Sequence, residues 1–241
     1  MASEFLSEMR YRKWVFIFGV GVTLLFVILS AYCMIIFPGG TIADPHSEGY
    51  SFFTNYFSDL GRTHNFLNKP NLISMLIFRT SITLVGIAAI LFYMVIPHFF
   101  TTSPLCRNLS IIGSLTGIIT GLGYIGIGFT PIDIMHSFHM MMVKLSFNSF
   151  LITVILYAVA IHKNPIYPNF YAWVYSGFGI MLSLYILINI FGPPYSSTYG
   201  LYIHVISQKV IVYAQIICMM IQANGAWVIN KATALGCKQR N

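Results

Sequence analysis

Six long apolar runs divide the chain, at about 14–37, 70–97, 109–130, 134–161, 170–191 and 201–229. Each reaches about the 20 residues that a helix needs to cross a ~30 Å hydrocarbon core. None alternates with the period of two that barrel strands require. Pro38, Pro97, Pro131, Pro165 and Pro193 stand at or just past the run ends, where a missing N–H costs a helix least. The pattern predicts an all-α integral membrane protein: one membrane domain over 1–241, with six transmembrane helices and one long loop at 38–69.

Loops of that length are usually functional or disordered, and the aromatic content of this one argues for order. Phe52, Phe53, Tyr56, Phe57 and Leu60 share one face at helical spacing. They predict a short helix that caps the bundle or lies in the interface, stopped by Gly61 in the left-handed conformation. In the third run Gly113, Gly117 and Gly121 form a small-xxx-small row, followed by Gly123, Gly126 and Gly128. Such a row admits a close neighbour and predicts a central position for that span. No internal repeat stands out, which weakens an inverted-repeat transporter reading.

Composition agrees with the pattern. Charged residues make up 8% of the chain and hydrophobic ones 57%, against about 25% charged in soluble domains. The formal charge of +7 does not point to nucleic acid, because most basic residues flank the apolar runs and act as topology signals. Arg10, Arg12, Lys13, Arg107, Lys163, Lys231, Lys238 and Arg240 fall on one side of the membrane, and Arg62 and Lys69 on the other. The positive-inside rule then puts both termini in the cytoplasm, together with the Asn108-Leu109-Ser110 sequon, which stays unmodified there. The first run, at about 24 apolar residues, exceeds the h-region of a signal peptide and reads as a retained span. Cysteines 33, 106, 218 and 237 form no CxxC pair and read as apolar packing residues.

The chemistry lies in polar residues inside the runs. Arg79, Lys144 and Lys209 fall within spans, and no acid does. Each basic residue there costs about 2.5–3.5 kcal/mol on insertion scales. Counted from the outer run ends at 1.5 Å per residue, Arg79 lies ~13 Å deep, Lys209 ~12 Å and Lys144 ~15 Å. His136 and His139 open the fourth span, and His204, Gln208, Gln215 and Gln222 form a stripe on the sixth. These positions predict an outward-facing polar cavity lined by spans two, four and six. The long loop would cover it and bring Asp59 and Glu48 near. Arg79, Lys144, Lys209, Asp59, His139, His204 and Gln208 are the candidate ligand-binding residues, with membrane lipid or a small anionic amphiphile as the expected partner. A structural network of the same cations with Asp59 and Asp133 is the alternative. A second alternative is an intramembrane zinc hydrolase of the alkaline-ceramidase type, with His136, His139, His204 and Asp59 as ligands and Ser58 nearby. A transporter is the third. The expectation is a non-enzymatic role without a resident cofactor, and zinc enters only under the hydrolase alternative. No phosphate-binding Gly-rich loop, GxSxG or HExxH occurs.

Three elements carry a family resemblance. Asn55-Tyr56-Phe57-Ser58-Asp59-Leu60-Gly61 resembles the N-x-x-S-D-x-G element of the prokaryotic membrane family known as domain of unknown function 998. The damage-regulated autophagy modulator family has a similar Ser-Asp-x-Gly element at the same place. His139-x3-Val143-x3-Phe147 resembles their H-x3-A-x3-F, with Val143 in place of alanine. Gln208-Lys209 stands where the first family tends to carry Glu-Arg. The resemblance implies a six-helix bundle with no established enzymatic activity, and by analogy with the second family a membrane- or lipid-linked regulatory role.

Overall fold

The computed structural model describes the backbone of residues 2–238 and the side chains of residues 7–231. Cys237, Lys238 and Arg240 carry sequence expectations that lie outside the described side chains. Among the described residues six α-helices form: α1 (Ala2–Ile36), α2 (Leu72–Val95), α3 (Pro104–Phe129), α4 (His136–His162), α5 (Asn169–Phe191) and α6 (Thr198–Lys238). All six contain a segment long and apolar enough to cross a membrane. The chain is therefore a multi-pass membrane protein.

The ends follow local chemistry. Pro97 lies in the 3-10 turn Ile96–Phe99 that finishes α2. Pro104 opens α3 behind Ser103, whose Oγ accepts the Cys106 N–H at 3.2 Å, an N-cap that satisfies one orphan donor. Gly192, Pro193 and Pro194 follow α5 directly. α1 and α6 extend well beyond the apolar runs that announce them, and Asn230 of α6 donates to the Met9 carbonyl of α1 at 3.0 Å.

Each helix packs on its chain neighbours, and α6 returns against α1. The result is a closed ring of six. One end of the ring, the loop face, carries the connections 37–71, 130–135 and 192–197. The other, the terminal face, carries both chain ends. The glycine-rich α3 is one stave of this ring and not its hub, which differs from the sequence expectation: its glycines meet α2 on one side and α4 on the other. A Cβ on Gly117 would sit 2.4 Å from the Tyr93 ring, and one on Gly121 2.7 Å from the Gly86 carbonyl. Hydroxyl pairs reinforce the α3–α4 seam: Ser114–Tyr157 at 2.6 Å, Thr116–Thr153 at 2.8 Å and Thr120–Ser149 at 2.9 Å. Such pairs hold helices together where lipid supplies no hydrophobic drive.

Toward the terminal face the ring is filled. Phe16, Phe92, Tyr93, Phe100, Phe150, Tyr157 and Tyr175 are all buried there in one cluster. Their rings stand in contact, for example Tyr93–Tyr157 at 5.8 Å and Phe100–Tyr157 at 5.5 Å between centroids. Toward the loop face the ring is hollow.

Candidate functional site

The roof of the hollow half is the long loop. The expected helix over 52–60 does not form. Residues 51–54 turn, Tyr56 is extended at φ −71° and ψ 159°, and a 3-10 turn covers Phe57–Gly61. Asn55 interrupts the helix. Its Oδ1 accepts the Ser51 N–H at 2.9 Å, and its Nδ2 donates to the Gly40 carbonyl at 2.8 Å and to Asp59 at 3.2 Å. Gly61 is not left-handed either: the positive-φ glycines are Gly39, Gly40 and Gly49. Gly61 is small for another reason. A Cβ there would lie 3.0 Å from the Phe78 ring of α2.

α6 holds this roof down with two adjacent side chains. Gln208 Oε1 accepts the Phe57 N–H at 2.9 Å. Lys209, 2% exposed, donates to the Asn55 carbonyl. Its ammonium stands 5.0–5.7 Å from the ring centroids of Phe52, Tyr50 and Phe57, an aromatic enclosure that offsets the loss of water. A second fastening joins the roof to the α3–α4 connection. Asp133 accepts the backbone N–H groups of Thr63 and His64 at 3.0 Å and the Thr63 hydroxyl at 2.5 Å.

Beneath the roof lies a cavity of about 610 Å³ to which all six helices contribute. This falls within the ~300–1,000 Å³ range of small-molecule sites. The polar lining is concentrated near the roof, with Asp59, Arg62, Asp133, His136, His139, Lys144, Asn189, His204 and Gln208. The rest of the wall is apolar, with Phe26 and Phe78 packed against the roof and Ile82, Val85, Val212, Ile216 and Met219 completing it. Tyr124 and Gln215 are hydrogen-bonded to each other at the base. A further space of about 50 Å³ shares that base and is bordered by Phe92, Tyr93 and Phe150, the beginning of the filled half.

The three intramembrane cations do not share this cavity, contrary to the sequence expectation. Lys144 borders it, but Arg79 and Lys209 do not. Arg79 Nε instead donates to the Gly128 carbonyl at the end of α3, a carbonyl left free by the helix terminus. Lys209 points up into the roof. Glu48 is also away from the cavity and exposed. Gln222, the deepest member of the α6 stripe, is spent on the Tyr171 carbonyl at 2.9 Å. Asp59, His139, His204 and Gln208 do border the cavity.

The four residues considered as metal ligands surround the space without converging. His139 Nδ1 faces the Thr130 carbonyl at 2.6 Å, and His204 Nε2 faces that of Pro193 at 2.9 Å. Asp59 is occupied by Asn55 and by the Tyr56 N–H. Among the described residues no three His, Cys, Asp or Glu side chains gather as a metal would need.

No family model, curated protein or solved structure matches this chain.

The charges of the roof are uneven. Burial pushes the Asp59 carboxyl up from its usual range, an effect opposed by the Asn55 hydrogen bond and by Arg62, 3.8 Å away. Partial burial would also raise Asp133, but the bonds from Thr63 and His64 outweigh it and hold this carboxyl below its ordinary value. Tyr56 is pushed up by burial and then by the nearby Asp59 charge. Lys144 is different: among the described residues its ammonium has neither an ion pair nor a hydrogen bond. Its backbone carbonyl, in contrast, accepts from Asn148 Nδ2 at 2.7 Å.

Sequence reasoning misses Tyr56, Tyr124, Tyr185 and Asn189, all of which border the cavity. Asn189 carries a signal in the sequence: it is the lone amide in the last turns of an otherwise apolar fifth span. The tyrosines carry none that separates them from an interfacial belt.

Proposed function

We propose that the cavity binds a small anionic amphiphile, without catalysis. Its polar group would lie beneath the roof against Lys144, and its apolar part against Phe78, Ile82, Val85 and Ile216. The observation that carries this reading is the unpaired Lys144 ammonium on the wall of a 610 Å³ cavity whose other charged groups are already satisfied. An unpaired charge at that depth is costly, and an anionic ligand would offset it. With both termini cytoplasmic, as the basic residues suggest, the cavity faces away from the cytoplasm.

On this reading the segments that resemble domain of unknown function 998 serve the roof rather than the ligand. Asn55, Asp59 and Gly61 shape it, and Gln208 and Lys209 secure it. A shared architecture with different cavity contents is the expected consequence.

The test is binding of a fluorescent single-chain phosphate amphiphile to the purified protein in phosphatidylcholine nanodiscs. A hydrogen bond to a charged group contributes about 1.5–3 kcal/mol, so Lys144→Leu should weaken binding about 10- to 100-fold. Lys209→Met should lower stability and leave the affinity of the folded fraction unchanged. Equal affinity of the wild type and Lys144→Leu would remove the proposal.

A further inference from the structure

Resting on the binding reading, we infer that the amphiphile enters sideways from the bilayer, through a gap between α4 and α5, and not through the roof. Five of the lining residues are exposed: Ile42, His136, Lys144, Asn189 and Tyr195. Of these, His136 opens α4 at the loop face, while Lys144 and Asn189 lie inside α4 and α5. Each borders the cavity and is exposed. The ring-to-ring contacts between α4 and α5 run Tyr157–Tyr175, Phe150–Phe178 and Phe147–Tyr185, the last at 5.0 Å. They stop there. Lys144 lies three residues before Phe147, and Asn189 four after Tyr185. Both therefore sit about one turn nearer the loop face than the last contact.

The neighbouring seams are fastened at that level. Arg79 joins α2 to the end of α3, and His139 joins α4 to Thr130 beyond it. A Cβ on Gly126 of α3 would meet Met142 of α4 at 2.4 Å. His204 ties α6 to Pro193 after α5. The roof is stitched to α2 through Asn71 and Ser74, which both donate to the Leu60 carbonyl, and to α6 through Gln208 and Lys209.

The polar rim of the gap suits a charged head group. Asn189 Nδ2 is spent on the Tyr185 carbonyl at 2.7 Å. An amphiphile moving in the plane of the bilayer would meet Lys144 first, turn its head group toward the roof and pass its chain between α4 and α5.

The experiment uses the full chain with Cys237→Ser, because the cysteines at 33, 106 and 218 are buried. A single cysteine is placed at Asn189 or, for the roof, at Ile42. Each is labelled with a bulky maleimide and reconstituted in phosphatidylcholine vesicles. Entry and exit of the same fluorescent phosphate amphiphile are then timed. Because both positions also line the cavity, the two rates are read separately: a block on the path slows entry and exit alike, whereas a label that takes up cavity space changes their ratio. We expect the Asn189 label to slow both rates at least about fivefold and the Ile42 label to leave them unchanged. Slowing by the Ile42 label alone, or by neither label, overturns lateral entry and leaves the cavity reading standing. Absence of Lys144-dependent binding in the unlabelled protein removes both.

Discussion

The two ends of this helix ring are built on opposite principles. Toward the terminal face, aromatic rings fill the centre and hydroxyl pairs close the α3–α4 seam. Toward the loop face the same six helices surround a 610 Å³ space, roofed by a segment whose Phe57 and Leu60 pack in a smaller cluster with Phe26, Cys33, Phe37 and Phe78. In a bilayer the helices gain nothing by escaping water, so packing and hydrogen bonds hold them together. A void in such a structure forfeits the very contacts that stabilise it. The filled half, with the larger core, therefore carries more of the fold, and the space in the hollow half is free to hold something else.

The sharpest way to break that contrast is to empty the filled half. Tyr157 is 1% exposed, touches Phe100 and Tyr93, and binds both Ser114 and the Ser110 carbonyl. Tyr157→Ala should cost about 3 kcal/mol, near the low end of aromatic truncations because the transfer contribution is absent in lipid. Ile216→Ala, on the cavity wall, should cost less than about 1 kcal/mol, since its side chain already borders empty space. Unfolding titrations with SDS in mixed micelles would measure both. Equal losses would mean that the two halves are equally packed.

The reverse substitution comes next in size. Ala160 is fully buried against the filled core, and Ala160→Leu should cost about 1–3 kcal/mol by overpacking. Val143 lines the cavity and is only half-buried. Val143→Phe should therefore stay within about 1 kcal/mol of the wild type in stability, while it lowers amphiphile affinity by taking up the chain's space. A large loss of stability at Val143 would show that the cavity is smaller than it looks.

These contrasts mark what the chain's pattern can and cannot tell. Six spans follow from apolar runs of the right length because lipid tolerates no unsatisfied backbone. The cavity residues on α4 and α6 were legible for the same reason: His139, Lys144, His204 and Gln208 are too polar for hydrocarbon. Their partners were not. Arg79 and Lys209 look the same as Lys144 in a sequence, yet each finds a carbonyl that only the fold brings near, at Gly128 and at Asn55. The aromatic spacing of the roof predicts a helix, and the single side chain that breaks it, Asn55, does not disturb that spacing. Side-chain-to-backbone bonds of this kind compete with helices but leave no periodicity to detect.

The smallest expected effect lies in the two carboxylates of the roof, and their signs are opposite. Asp133 is held below its unfolded value, which is about 3.9, by bonds from Thr63 and His64. Its contribution is therefore present above about pH 4 and is lost as the pH falls through the folded value. Asp59 is pushed above its unfolded value, first by burial. Folding favours its protonated form, so its contribution is greatest in acid and declines as the pH rises toward the folded value. Asp133→Asn should cost about 1 kcal/mol at neutral pH, discounted because the group is partly solvated, and should flatten the loss of stability between neutral pH and about pH 3. Asp59→Asn keeps an acceptor for the Tyr56 N–H and removes the charge penalty, so it should be near neutral at pH 7 and should steepen the acid loss. Unfolding midpoints of both variants at matched pH values decide the matter. Parallel pH dependences would mean that the roof's two carboxyls share one environment, and that its Asp59 side is not sealed from water.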